Sequence, residues 1–348
     1  MTTAGHLLSR PAASAWRRPT VVFLLLGALT AVLGLLNVAI GSVSFSPAEI
    51  LAALTAPGDS TAGFILWKIR IPRAIAAVLG GAYLAVSGLL LQVYFRNPIV
   101  GPFILGVSSG ATVMVSLVML TTVAAGMTAL SPVLNTLAAF VGAYGVMLIV
   151  VAVASRVRSG ITLLIVGLMM GYLCHAITSI LTALAEKEQI KGFVLWQLGS
   201  FSGFRWNEIF VLLAFGGLVL AVVYLLGKPL NALLLGEEYA ASMGVAIRRF
   251  RVTILLCACA LAGMITSVAG PVAFVGLAVP HMARLGFGTS GNRVLIPGAG
   301  LMGAAVTSLC DLVARMLLSP VELPLSAITA FFGAPIVIGL LMKRQVKL

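Results

Sequence analysis

Residues 70–111 read RIPRAIAAVLGGAYLAVSGLLLQVYFRNPIVGPFILGVSSGA. From Ile71 to Tyr94 the stretch is almost wholly apolar and long enough to cross a bilayer, which takes about 20 residues as a helix. Arg96-Asn97-Pro98 and Gly101-Pro102 then interrupt it, and a second apolar run starts near Ile104. A helix in lipid pairs its own backbone groups and a turn does not, so the interruption must be buried in protein or line a cavity. The expectation is a bundle of helices packed around broken segments.

The whole chain has the same character. Of its 348 residues 61% are apolar and 9% charged, with a mean hydropathy of +1.14. That leaves too little polar surface for a water-soluble globule. Apolar runs near 20–40, 71–94, 104–126, 133–154, 161–184, 208–226, 250–269, 272–287, 295–318 and 326–342 predict an all-α polytopic membrane protein of about ten transmembrane helices. The chain forms one domain over 1–348, with a short N-terminal tail at about 1–19. Ala269-Gly270-Pro271 separates the seventh run from the eighth.

Charge sets the expected orientation, because Lys and Arg collect in cytoplasmic loops. With both termini cytoplasmic, fifteen of the 22 Lys and Arg residues fall inside, with only Glu237 and Glu238 among the nine acids. The formal charge of +13 then lies on one face. Short-loop cations of this kind meet anionic lipid headgroups of the bilayer, and nucleic-acid binding is not expected. The basic N-terminal stretch precedes an apolar run, Thr20 to Ile40, too long for a signal peptide and without a small-residue cleavage site. It reads as a retained first helix. Cys174, Cys257, Cys259 and Cys310 fall inside spans without metal-ligand spacing, so no metal site is expected.

Three polar interruptions carry most of the local information. The first, 41–70, ends in Lys68 and Arg70, with Arg73 just beyond, three cations at an outer helix end. They either snorkel to headgroups or receive an acidic partner. The second, 185–207, contains an amphipathic stretch from Ile190 to Phe201, too short to span, in which Trp196 is a belt residue or part of a gate at a pore mouth. The third, 227–249, is cytoplasmic and places Glu237 and Glu238 ahead of a short helical stretch, Tyr239 to Met243, followed by Gly244 and a basic cluster. Such a helix, its charges suited to its dipole, is a plain connector or a lever for a cytoplasmic subunit.

Catalytic chemistry is largely excluded. The chain lacks the G-x-x-x-x-G-K-[ST] phosphate loop, its Gly227-Lys228 being followed by Pro229. His175 in the fifth span is a proton relay, a haem ligand or a packed polar residue; with no matching acid, packing is the simpler reading. Asp311 and Arg315, at i and i+4, form an internal ion pair that lowers the cost of both in the membrane. Breaks in both halves, with GPFILG resembling GPVAFVG, hint at a duplicated transporter core.

These residues, taken together, resemble one family along nearly the whole chain: the permease subunits of ATP-binding-cassette importers for iron-siderophores, haem and cobalamin. The motifs are Arg70-Ile71-Pro72-Arg73, Arg96-Asn97-Pro98 through Gly106-Val107-Ser108-Ser109-Gly110-Ala111, Leu235-Gly236-Glu237-Glu238 and Gly276 through Arg284. Asp311 to Arg315, Glu322-Leu323-Pro324 and Gly333-Ala334-Pro335 complete them. The resemblance implies the type II importer permease fold, a dimer with the path at its interface, two cytoplasmic ATPase subunits and an extracytoplasmic substrate-binding protein. It implies a bacterial inner membrane. This chain would bind no cofactor, and ATP and Mg would sit on the partner ATPase. By the same resemblance Arg70, Arg73 and Arg315 receive acidic residues of the binding protein. Gly236, Glu237, Glu238, Ala241, Met243 and Gly244 belong to the helix seated in the ATPase. Asn97, Pro98 and Ile99, with Ser159, Gly160 and Ile161, border the cytoplasmic gate, although Gly160 and Ile161 are less polar than the family pattern. The expected cargo is an iron chelate, an iron-siderophore first, then haem, then cobalamin. The alternatives from other classes are a proton-coupled secondary transporter, for which Asp311 is a poor lone candidate, and a structural membrane protein.

Overall fold

The computed structural model describes residues 12–55, 60–121, 132–154, 156 and 160–345. In chain order its helices are α1 (Ala12–Ala39), α2 (Pro47–Thr55), α3 (Thr61–Phe95), α4 (Val107–Thr121), α5 (Pro132–Ala154), α6 (Gly160–Leu184) and α7 (Lys187–Gln197). They continue as α8 (Trp206–Leu225), α9 (Gly227–Leu235), α10 (Glu237–Ser242), α11 (Ile247–Ala269), α12 (Val275–Phe287), α13 (Asn292–Met316) and α14 (Leu325–Gln345). Each of the ten expected spans corresponds to one of them. Among the described residues seven, α1, α3, α5, α6, α8, α11 and α13, are long and apolar enough to cross a membrane.

One of the others is short within the described residues: α12 has 13 residues, about 20 Å at 1.5 Å per residue, against a hydrocarbon core of about 30 Å. The expected eighth span, 272–287, is therefore corrected: its first residues are non-helical, and Phe274 caps α12 at φ 65°. α4 is likewise preceded by an irregular stretch and a single 3-10 turn, Pro102–Leu105. The uncapped backbone of both breaks is covered by protein, since Val100, Gly101, Pro102, Gly270 and Val272 are buried. The breaks also meet. A Cβ built on Gly276 would lie 2.8 Å from Cδ of Pro102.

α3 starts ten residues earlier than the hydropathy suggested. Ser60 caps it, its Oγ accepting from the Gly63 N–H at 3.0 Å, and the helix passes through a π-turn, Leu66–Arg70, before Pro72. A proline inside a helix removes one ladder donor and crowds the preceding turn, and the wider π-turn takes up that defect. The polar Lys68 and Arg70, which read as loop, are thus helical. α2 opens on a reciprocal cap: Glu49 accepts from the Ser46 N–H at 2.7 Å and hydroxyl at 2.9 Å. These bonds, the backbone one first, hold its carboxyl below the usual carboxylate range.

α3 is the central element, packed by α13, α11, α12 and α1. Glycines make that packing close. A Cβ on Gly81 would sit 2.2 Å from the Gly303 carbonyl oxygen, and one on Gly88 only 1.6 Å from that of Gly276. Without a hydrophobic drive between helices in lipid, such backbone approach is what holds them. Polar side chains add hydrogen bonds across the same seams: Ser87 Oγ donates to the Ala258 carbonyl at 2.6 Å and Thr307 Oγ1 to that of Ala77 at 2.6 Å. Tyr83 donates at 2.7 Å to the carbonyl of Leu212, at the start of the π-turn within α8.

Replacing Gly88 by Ala forces this seam apart and is expected to destabilise the protein by about 1–3 kcal/mol, the usual cost of overpacking. Gly145 has open space around its Cα, so Gly145→Ala should leave stability unchanged or slightly raised. Thermal unfolding in detergent compares the two; equal melting of Gly88→Ala and the wild type would disprove the seam.

Candidate functional site

At the end where α3 begins, a buried charge cluster joins three helices. Asp311, on the last turns of α13, is fully buried. Its carboxylate accepts from Arg73 Nε at 3.1 Å and from a terminal nitrogen of Arg73 at 2.8 Å, while Arg315 Nε lies 3.3 Å from its other oxygen. Arg73 also pairs with Glu322 on the segment leading to α14. Arg315 donates to the Asn37 carbonyl at 3.1 Å and to its side-chain oxygen. Asn37, buried in α1, in turn donates to the carbonyls of Leu33 and Ser308, each at 2.9 Å.

Arg70 closes the other side. Its guanidinium donates to the carbonyls of Val38 at 3.1 Å and Ala39 at 2.8 Å, two of the orphan C-terminal acceptors of α1, and to that of Val43 beyond the helix, and lies 5.0 Å from the centre of the Phe45 ring. All three arginines border one cavity of about 210 Å³, shared with Gly41, Ser42, Ile69, Pro320 and Glu322. Arg70 and Arg73 are 4% and 7% exposed. They do not snorkel into headgroups. Three cations and two carboxylates leave the cluster one net positive charge.

Trp196 lies at the same end, on α7. Its carbonyl accepts the Gly199 N–H at 3.2 Å, and Gly270 approaches so closely that a Cβ there would sit 2.2 Å from that carbonyl. The expected amphipathic stretch 190–201 is helical from Lys187 to Gln197 and ends in a 3-10 turn, Phe201–Gly203.

At the far end α3 stops in a Schellman arrangement: the Arg96 N–H bonds the Val93 carbonyl and the Asn97 N–H that of Gln92, with Arg96 at φ 48°. Asn97 Oδ1 accepts the Ile99 N–H at 3.0 Å, an Asx turn that sets the direction of Pro98. Ile99 is exposed and Asn97 and Pro98 are half-buried. Gly160 faces the last turn of α3, since a Cβ there would lie 3.5 Å from Phe95, and Ile161 beside it is 72% exposed. Ser159 lies outside the described residues. Just above the turn Gln92 donates to the Leu277 carbonyl at 3.0 Å and accepts from Arg284 at 2.6 Å, tying α3 to α12.

The same end carries the short helix expected between two glycines. α10 runs Glu237–Ser242, starting two residues before the helical stretch inferred from sequence, and is flanked by Gly236 at φ 132° and Gly244 at φ 86°. Other residues rarely adopt those angles. Ala240 is its buried anchor; Glu238, Tyr239, Ala241 and Met243 face outward. Glu237 is tied to Arg251 of α11, Nε to Oε1 at 3.2 Å, so an ion pair joins α10 to a membrane helix.

Asn37 and Gln92 were missed in the sequence, although a lone amide inside an apolar run was a usable signal. The four cysteines are free and buried.

The model of the FecCD transport family matches residues 29–343. Vitamin B12 import system permease proteins (BtuC) are 35% identical: that of Salmonella typhi over 294 residues, 83% of this chain and 87% of the relative, and that of Escherichia coli O9:H4 (strain HS) over 293 residues, 83% and 88%. A solved structure, described as a metal-chelate type ABC transporter in an inward-facing conformation, superposes with a TM-score of 0.81 at 28% identity, covering 94% of this chain and 99% of that one.

Asp311→Ala would leave Arg73 and Arg315 facing one another without their shared anion. Breaking a buried pair costs about 3–5 kcal/mol, so this variant should melt well below the wild type in detergent. An unchanged melting temperature would show that the cluster does not hold α3 to α13.

Proposed function

This chain belongs to the FecCD transport family, as an ABC importer permease, and we propose that its cargo is a metal chelate, with cobalamin ahead of the iron-siderophore and haem expected from sequence. The names of the relatives at 35% identity favour that order. In this reading ATP hydrolysis belongs to a partner subunit, and the termini lie on the cytoplasmic side of a bacterial inner membrane. The single observation that carries the mechanism is the placement of two unlike sites at opposite ends of α3. Between Arg70 and Phe95 the helix rises about 37 Å at 1.5 Å per residue.

At the outer end the Arg70, Arg73 and Arg315 cluster presents one net positive charge around an open cavity. An acidic side chain of a substrate-binding protein suits that charge. At the cytoplasmic end α10 offers Tyr239 and Met243, 48% and 62% exposed, to a groove on the ATPase. Glu237–Arg251 then passes its displacement to α11, and the Asn97 to Ile99 turn with Gly160 and Ile161 lies where an inner gate would close. Trp196 on α7 occupies the corresponding outer position.

Reconstitution with a partner ATPase and a substrate-binding protein tests the cargo. ATP-dependent uptake of cobalamin is expected; uptake restricted to a ferric siderophore or haem would reassign it. Uptake that ignores ATP and collapses with an uncoupler would favour the secondary transporter.

Two interface variants address the two ends. Met243→Glu should reduce ATPase co-purification by about tenfold or more, about 1.4 kcal/mol, without loss of membrane insertion. Glu322→Gln raises the charge of the outer cluster and should tighten an acidic binding protein several-fold at low salt, less at high salt. No change in either would remove that assignment.

A further inference from the structure

The three cations that crowd the start of α3 do not share one environment. Arg70 and Arg73 turn into the buried cluster, where carbonyls, Asp311 and Glu322 take up their charge. Lys68 does not. It borders a second cavity, of about 540 Å³, with Phe64, Ile69, Arg205, Trp206 and Asn207, and Ile69 is the one residue that the two cavities have in common. Lys68 and Arg205 are exposed, and among the described residues neither side chain pairs with a carboxylate. The residues that line the cavity include no acid. Glu208, close by in sequence, is engaged as a helix cap, its carboxylate accepting the backbone N–H of Arg205 at 3.0 Å.

The aromatic side of the cavity is held from within. Trp206 stacks on Trp67, with ring centres 6.3 Å apart and planes 29° from parallel. Its indole N–H donates to the Trp67 carbonyl at 2.7 Å, and that of Trp67 donates to the Ala53 carbonyl at 3.0 Å. Both donors are satisfied inside the protein, so the rings present a surface and the two cations present the charge. Trp206 opens α8, an apolar span of 20 residues, just long enough to cross the hydrocarbon core. The cavity therefore lies at the level of the headgroups, where tryptophan collects. One turn deeper on the face of Asn207, Phe210 and Val211 are 61% and 50% exposed, and only 22% of the apolar window of this span is buried.

We propose that Lys68 and Arg205 bind the phosphate of an anionic phospholipid whose acyl chains lie along α8 below Asn207. The proposal needs only that α8 crosses a membrane and does not depend on the cargo. Charge and shape select the ligand. A phosphodiester spreads one negative charge over two free oxygens, which the planar fork of an arginine and the point charge of a lysine both suit. A zwitterionic lipid carries the same phosphate, but its ammonium would be brought beside two cations. An acidic protein segment would meet the cations alone. A phospholipid meets them with its phosphate and the apolar face beneath with its chains. Headgroup contact, excluded for the buried Arg70 and Arg73, thus falls to Lys68.

Native mass spectrometry of the full chain in detergent, titrated with phosphatidylglycerol or with phosphatidylcholine of matched chains, tests the site. Phosphatidylglycerol should bind first and about tenfold or more tightly, a preference that weakens as salt is raised. Lys68→Gln combined with Arg205→Gln should bring the two lipids to near-equal affinity. Lys68→Arg keeps the charge and should keep the preference. Both positions are exposed, so melting should be unchanged in these variants. Each single Gln variant should lose part of the preference, which decides the matter even if the double variant melts early. Wild-type protein without a preference, or a double variant that retains it in full, would overturn the proposal. So would displacement of phosphatidylglycerol by equimolar inorganic phosphate, the mark of a free-anion site. Loss of a dimer of this chain in the double variant would also overturn it, since that face would then belong to a second copy.

Discussion

The structure depends on how near two backbones can come inside a membrane. α3 touches α12 and α13 through Gly88 and Gly81, at positions where any side chain would overlap a carbonyl oxygen. In water such a seam would be supported by the burial of apolar area. In lipid that drive is absent between helices, so contact distance itself supplies the cohesion, together with hydrogen bonds such as those of Ser87 and Thr307. The seam has a second effect. It covers the non-helical backbone before α12, which could not otherwise stand at that depth.

Around this axis the charged groups divide by purpose. The Asp311 carboxylate is held between Arg73 and Arg315, and Arg70 caps the end of α1. The cluster is buried, and three arginines against two carboxylates leave it one net positive charge. At the other end the Glu237–Arg251 pair is partly exposed, with Glu237 side-chain exposure at 41%. Exposed pairs contribute little to stability, about 0–1 kcal/mol, so this one holds the fold only weakly. The helix between the two sites is continuous from Thr61 to Phe95.

Much of this was legible in the residues. Hydropathy placed a helix at each of the ten runs, and the Asn97-Pro98 and Gly270-Pro271 breaks were read as interruptions needing cover. Gly236 and Gly244 delimited α10, because only glycine accepts those backbone angles readily. The i, i+4 spacing of Asp311 and Arg315 announced their pairing. Other features were illegible for identifiable reasons. Hydropathy averages over a window, so it could not see that α12 begins only at Val275, nor that α3 continues through the polar Lys68 and Arg70 by way of a π-turn.

Sequence alone determined the class, the number of apolar runs, the charge asymmetry and the turn chemistry, because each depends on composition or on residues a few positions apart. Tertiary structure decided what each polar group meets. Arg73 finds Asp311 across 238 positions and Asn37 reaches Ser308 across 271, and no local rule encodes such pairings. Hydropathy marks α1, α6 and α8 as spans, and only the packing of the rest shows which of their faces it leaves uncovered.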